Sequence, residues 1–312
     1  MAHHLVVGAG PVGSTTARLF AERGDTVTVV TRRGTGPSHP SIRLERGDAA
    51  DAEGLARLAA GASSIVNAVN PPYHRWATDW PPLHHGFTTA AERSGAVLVM
   101  MDNLYAFGPD APMPMRPDDP MRATGTKGAM RATMARDLLE GHAAGRFRAT
   151  LARASDFFGP EVLGSMLGER VMPRVLAGRK VSLLGALDRP HDMSYLPDVA
   201  RTLVTLATDE RAWGTAWHVV NPDTLTQRDA VAALARAAGT SVRVSSLPWA
   251  IVNAAGVFVP MMRELRETRY QFDRPFVVDA TATRDILGLT ATPWPEAAAA
   301  TVAWWRDRTP PV

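Results

Sequence analysis

The chain has 312 residues, 46% of them hydrophobic, a net charge of +3 and no cysteine. That length suits a nucleotide-binding core joined to a substrate-binding part; the missing cysteines exclude disulfides and thiolate metal sites, and no apolar run reaches the roughly 18 residues needed to span a bilayer. Basic residues are interspersed with acidic ones, and nearly all are arginine, with lysine only at Lys127 and Lys180, so neither a nucleic-acid nor a membrane partner is expected.

The first apolar run, Leu5-Val6-Val7, leads straight into Gly8-Ala9-Gly10-Pro11-Val12-Gly13. It begins within a few residues of Met1, which argues against a secretory leader and for a cytoplasmic protein. In a G-x-G-x-x-G turn the glycines permit a sharp bend, close approach to a diphosphate and tight packing of the next helix, whose free N–H groups and positive end face the phosphates. An amphipathic run through Val12, Ala17, Leu19 and Phe20 and a second strand at 26–30 complete the pattern. It predicts a doubly wound parallel α/β fold with a dinucleotide site.

Enzymes that select NAD place a carboxylate at the end of the second strand to hold the ribose 2′-hydroxyl. Here Thr31 stands in that place, followed by Arg32 and Arg33, two guanidiniums able to clamp a 2′-phosphate. NADP(H) is therefore favoured over NAD(H), the alternative being a solvated arginine pair. A short third strand closes on Gly47-Asp48-Ala49, where Asp48 is either an adenine contact or the cap of a helix starting near Ala52. The fourth strand ends in Ala68, Val69 and Asn70, residues over which a cofactor can lie, and Pro71-Pro72 forbids an immediate helix. Tyr73 follows as a candidate substrate contact. A long helix is expected over 81–94; His84 and His85 on it point in different directions and predict no metal site.

A fifth strand at 96–101 runs into Asp102-Asn103-Leu104-Tyr105-Ala106-Phe107-Gly108-Pro109. This segment is similar to that of the extended short-chain dehydrogenases/reductases, the nucleotide-sugar epimerase and dehydratase superfamily. The resemblance covers almost the whole chain: Gly47-Asp48, Arg153-Ala154-Ser155-Asp156-Phe157-Phe158-Gly159-Pro160, Tyr195-Leu196-Pro197-Asp198-Val199-Ala200-Arg201 and the closing Thr283-Arg284-Asp285-Ile286-Leu287-Gly288-Leu289. It implies a Rossmann core over 1–160 and a smaller, interleaved substrate-binding region over 161–312, with core elements returning at about 195–221. Relatives often pair through two long helices, so a homodimer through 81–94 and 126–144 is the corresponding expectation.

In that superfamily a Tyr-x-x-x-Lys helix carries the proton chemistry: the lysine binds the nicotinamide ribose and lowers the tyrosine's pKa, while a Ser/Thr on the neighbouring strand orients the substrate oxygen. The resemblance assigns Lys127 to the lysine, yet Ala123 stands four residues earlier and Asn103 at the Ser/Thr place. The chain thus resembles the divergent, atypical branch. Tyr105, where dehydratases of the superfamily carry a catalytic acidic residue, is the local substitute or else a core aromatic beside Phe107; Asn103 is an oxyanion donor or an ordinary turn residue. The resemblance further puts Ser155, Asp156 and Phe157 beside the nicotinamide, and Phe158, His191 and Tyr195 in the substrate pocket. Asp198 is expected to cap a helix over 199–207. The apolar stretch 249–262, with Phe258, Met261 and Met262, suits a bulky, weakly polar substrate or packing within the lid.

These residues together predict an NADP(H)-dependent oxidoreductase acting on a carbonyl, alcohol or activated alkene of a small molecule. Two alternatives stand beside it: an epimerase or dehydratase that oxidises its substrate transiently, and a non-catalytic NADP(H)-sensing or scaffold protein.

Overall fold

The computed structural model describes residues 1–255 and 263–308. Its first half runs β1 (His3–Val7), α1 (Pro11–Glu22), β2 (Thr26–Thr31), β3 (Ile42–Arg46), α2 (Ala52–Leu58), β4 (Ser64–Asn67), α3 (Trp76–Ser94), β5 (Val97–Asn103), α4 (Thr126–Ala143), β6 (Ala149–Ala154) and β7 (Asp156–Phe158). The second half continues with α5 (Met172–Leu176), β8 (Val181–Leu184), β9 (Pro190–His191), β10 (Met193–Tyr195), α6 (Leu196–Thr208), β11 (Ala216–His218), β12 (Leu225–Thr226), α7 (Gln227–Ala237), β13 (Val244–Leu247), α8 (Trp249–Ala255), α9 (Tyr270–Asp273), α10 (Thr281–Leu287) and α11 (Trp294–Arg308).

Seven strands form one parallel sheet in the order β3-β2-β1-β4-β5-β6-β11. Because strands alternate their side chains, Leu5, Val7, Ile65 and Leu98 enter one core, and Val6, Val29, Val66 and Val99 enter the other on the opposite face. Burial on both faces explains the unbroken apolar runs of these strands. The strand order reverses between β1 and β4, which opens a crevice at their carboxyl ends.

A further core gathers Phe158, Val175, Leu183, Leu234, Trp294 and Trp305 from the second half of the chain. The two halves are laced together: β11 returns to the main sheet beside β6, while β7 pairs with β10 in a separate two-stranded ribbon.

Two expectations change here. The third helix starts at Trp76 and contains Pro81 and Pro82, earlier than the prolines alone would suggest. Trp76 and Trp80 are both buried, and the Arg131 guanidinium lies 5.0 Å and 4.4 Å from their ring centroids; this tertiary packing outweighs the two lost backbone donors. Asp198 does not cap a helix but lies inside α6, fully buried, where it accepts from the Thr292 N–H and hydroxyl at 2.7 Å each. The Phe258, Met261 and Met262 reading falls outside the described residues.

Candidate active site

The crevice is a cavity of about 850 Å³ running from Asp48 at one end to Gln271 and Phe276 at the other, near the upper end of the roughly 300–1,000 Å³ of small-molecule sites. Gly8, Gly10, Pro11 and Val12 form its floor. Gly8 adopts φ +104°, and a Cβ there would fall 2.8 Å from the Ala68 carbonyl oxygen. A Cβ on Gly13 would fall 2.0 Å from the Gly8 carbonyl oxygen, so that glycine lets α1 press against the turn. At Gly10 a Cβ would meet nothing within 4 Å, leaving the backbone open to the cavity. These are the three tasks the motif performs around a diphosphate: bend, close packing and unobstructed approach.

Thr31 and Arg32 line the cavity beyond the end of β2, whereas Arg33 is exposed outside it. The Thr31 hydroxyl is engaged locally, accepting from Thr35 N–H at 2.9 Å and donating to the Thr35 carbonyl at 3.0 Å. Asp48 and Ala49 face the same end. Helix α2 is capped by Asp51, which accepts from Gly54 N–H at 3.0 Å, so Asp48 is free of that task and accepts only from Ala50 N–H. Ala68, Val69 and Asn70 form the wall above β4.

At the other end the Tyr73 and Tyr105 hydroxyls lie 2.6 Å apart, and both side chains line the cavity. Burial raises both phenol pKa values, that of Tyr105 well above the usual range. Asn103 lines the cavity too; its amide oxygen accepts from Tyr105 N–H at 3.0 Å, which leaves the NH2 as the group it can offer. Ser155, Asp156 and Phe157 lie opposite, with the Ser155 hydroxyl committed to the Asp192 carbonyl at 2.6 Å.

Lys127 is placed otherwise than the superfamily pattern implies. Helix α4 starts at Thr126, so Ala123 and Lys127 are not one turn apart on a helix. The Lys127 ammonium pairs with Glu264 and Glu267, its backbone N–H donates to Glu267 at 2.7 Å, and it is not among the residues lining the cavity. One turn on, Arg131 does line it. The pair Lys127 and Arg131 has the same spacing as Tyr-x-x-x-Lys; a search fixed on lysine overlooks this register.

Arg131 and Arg153 flank the buried Asp102 carboxylate, at 3.3 Å and 3.4 Å. Two guanidiniums on one carboxylate leave a surplus positive charge. Burial lowers the pKa of both arginines, and Asp102 opposes that shift. The Arg131 Nε and Nη1 atoms make no hydrogen bond among the described residues, a costly state for buried N–H groups unless an acceptor enters the cavity. Gln271 Nε2 and Ser165 Oγ are likewise buried without partners and belong to cavity-lining residues.

Three residues expected in the substrate pocket lie behind its wall. Phe158 stacks on Trp294 at 4.5 Å in the second core, and Tyr195 packs against Phe158 there, its phenol pushed up to about 12 by burial. His191 is 2% exposed and touches the site through Asp156, its Nε2 lying 2.8 Å from Oδ2. Among the described residues, no three His, Cys, Asp or Glu side chains are grouped as metal ligands, and no helix is long and apolar enough to cross a membrane.

Sheet order, glycine turn and cavity define a dinucleotide-binding Rossmann protein. Residues 4–219 match the model of the NAD dependent epimerase/dehydratase family, and the chain belongs to that family. Solved structures share the fold. WbmH of Bordetella bronchiseptica in complex with NAD+ is 21% identical, with 98% of this chain and 99% of that chain covered and a TM-score of 0.72. UDP-glucose 4-epimerase of Thermotoga maritima with UDP-glucose is 15% identical over 98% and 99% of the two chains, with a TM-score of 0.78. The dTDP-glucose 4,6-dehydratase of Bacillus anthracis in complex with NAD is 14% identical over 98% and 97%, with a TM-score of 0.74. A search of curated proteins returns no match.

Proposed function

We propose that the chain is an NADP(H)-dependent oxidoreductase that interconverts a carbonyl and an alcohol on a small, uncharged molecule. A bound nicotinamide dinucleotide supplies or accepts the hydride. The open backbone at Gly10 and the free N–H groups of α1 hold its diphosphate. Arg32 meets the 2′-phosphate, and Arg131, whose Nε faces Asp102 while Nη1 has no hydrogen-bond partner among the described residues, takes the ribose-binding task of the superfamily lysine. In the Tyr73–Tyr105 pair one hydroxyl donates to the other, so the remaining O–H and the Asn103 amide donate hydrogen bonds to the substrate oxygen, which gains negative charge during hydride transfer.

The observation that carries the choice of substrate is the charge of the cavity's far end. Its described lining around Val162, Leu163, Gly164, Ser165, Gln271 and Phe276 carries no charge, and the cations that line the cavity are Arg32, Arg75 and Arg131. A nucleoside diphosphate needs cations or a helix N-terminus against its phosphates; a neutral carbonyl compound needs an apolar wall with a few hydrogen-bond donors, as here.

The family match and the sugar-nucleotide epimerases and dehydratases among the similar structures favour a second reading, transient oxidation with the cofactor regenerated in each cycle. Stoichiometry separates the two. Steady consumption of NADPH with a panel of neutral ketones, aldehydes and enones, and no product from UDP-glucose, is the expected result. Epimerised or dehydrated nucleotide sugar without net cofactor change would overturn the oxidoreductase reading in favour of the second.

A further inference from the structure

We infer that the Asp156 carboxyl is the group that exchanges a proton with the substrate oxygen, and that His191 holds this proton in place from behind the cavity wall. The inference rests on the oxidoreductase reading for its reaction, but not for the proton itself.

The usual tyrosine position carries no phenol, and Tyr105, the nearest phenol, is held well above its ordinary pKa by burial. Forming its phenolate near neutral pH is therefore unfavourable, which suits Tyr105 as a hydrogen-bond donor and not as the acid. Asp156 lines the cavity with its side chain 28% exposed, across from Tyr73 and Tyr105.

Proton counting identifies what Asp156 can deliver. His191 Nδ1 lies 3.2 Å from the Gln271 backbone carbonyl, and a carbonyl oxygen only accepts, so this contact is a hydrogen bond in the forms that carry a proton on Nδ1. Nε2 lies 2.8 Å from the Asp156 carboxyl. That second contact is a hydrogen bond only if Nε2 also carries a proton or Asp156 itself does. With both ring nitrogens facing acceptor atoms, the arrangement in which both contacts are hydrogen bonds is the one with an added proton in the Asp156 to His191 contact. The ring is boxed in by Phe272 and Phe276, with centroids 6.3 Å and 5.4 Å away. Asp192, the neighbouring carboxylate, is occupied by the Thr224 hydroxyl and the Val278 N–H. Besides Asp156 and Asp192, the ionisable groups on the packed elements are Tyr73 and Tyr105 across the cavity, Arg131 beneath them and Tyr270 on α9. The route from the ring to the cavity is Asp156.

In the reducing direction a bound reduced nicotinamide would supply hydride to the carbonyl carbon, and the π electron pair would pass to the oxygen. That oxygen takes the proton from the Asp156 carboxyl, leaving a carboxylate against a neutral imidazole, and the cavity's solvent restores the proton after product leaves. In the oxidising direction the carboxylate removes the hydroxyl proton as hydride departs. Asp156 is thus the catalytic residue and His191 its positioning residue.

The proton is read without turnover. In ¹⁵N-histidine-labelled protein with NADP+ added, a far-downfield, exchange-protected proton resonance correlated with His191 Nε2 is expected in the wild type and absent in Asp156→Asn. Its absence from the wild type from about pH 5 to pH 8, or its persistence in Asp156→Asn, overturns the inference even if the enzyme reduces ketones. Single-turnover hydride transfer supplies the second arm. Asp156→Asn is expected to slow it by at least about 100-fold with the Kd for NADPH within about twofold, and Asp156→Glu to recover part of the rate. His191→Gln is expected to shift the pH profile of hydride transfer. An Asp156→Asn enzyme that keeps half the wild-type rate, or one whose loss follows a weakened Kd, refutes the assignment. A wild type that shows the resonance yet reduces no substrate refutes the oxidoreductase reading instead.

Discussion

Arg32 sits on the rim of the cavity beyond β2 while Arg33 points into solvent, so the two guanidiniums that look equivalent in the sequence are not equivalent in the fold. Arg32→Ala should weaken NADPH by about 10- to 100-fold, the loss of one charge-assisted contact, and leave NADH nearly unchanged. Arg33→Ala should do far less. Equal weakening of both nucleotides by Arg32→Ala, read by fluorescence titration, would remove the 2′-phosphate contact. Tyr105→Phe should lower hydride transfer by roughly 100-fold if its hydroxyl serves the developing oxyanion, and an unchanged rate would take Tyr105 out of the mechanism. That Gly8, Gly10, Asp48 and Tyr105 line one cavity is legible in the sequence because each lies within a few residues of a strand end, where local pattern and position coincide. The Asp156 and His191 couple was not, because these residues are far apart in sequence and meet only through the tertiary placement of β7 and β9.

Helix α4 shows how an element can keep its place while its residues change duty. Its first N–H groups, at Lys127 and Gly128, are capped by the Glu267 carboxylate at 2.7 Å and 3.2 Å, and the Lys127 ammonium pairs with Glu264 and Glu267. The same segment leads into α9, which carries Gln271 to the cavity. Lys127 thus ties the far wall to the helix, and Arg131 one turn later lines the cavity. Lys127→Met should leave the Kd for NADPH within about twofold while costing roughly 1 kcal/mol of stability, whereas Arg131→Met should weaken NADPH by about tenfold or more. The opposite ranking in a paired titration and thermal melt would restore Lys127 as the ribose contact. Sequence alone could not show this: Glu264 and Glu267 reach α4 from far along the chain, and the lysine itself points to position 127 and away from Arg131 four residues on. The early start of α3 escaped for the same reason, since what holds Trp76 and Trp80 is Arg131 on another helix.

Across the whole molecule, order along the chain carries the fold. Strand order, the crevice between β1 and β4 and the return of β11 to the sheet follow from apolar runs alternating with helix starts, while the second core depends on contacts no local pattern specifies. Its buried titratable groups set a pH dependence. Burial lowers the pKa of His4 and brings His218 to about 3. The unfolded chain takes up these protons near pH 6.5 and the folded chain does not, so this stability is fully present above about 6.5 and is lost as pH falls toward about 3. Asp192 and Asp198 are raised by burial and act in the opposite sense, their contribution being greatest at low pH and lost as pH rises through their folded values. Urea midpoints should therefore fall as pH drops from about 6.5 to 5, and His218→Leu should flatten that slope by up to about 1.4 kcal/mol per pH unit. A slope unchanged in His218→Leu would show that another group sets it.

Titration calorimetry of the wild-type protein with NADPH and with NADH tests the central claim most directly, because every proposed step takes place around a phosphorylated dinucleotide lying across β1 and β4. One equivalent of NADPH should bind at least about tenfold more tightly than NADH. A protein that binds neither nucleotide, or prefers NADH, would contradict the account.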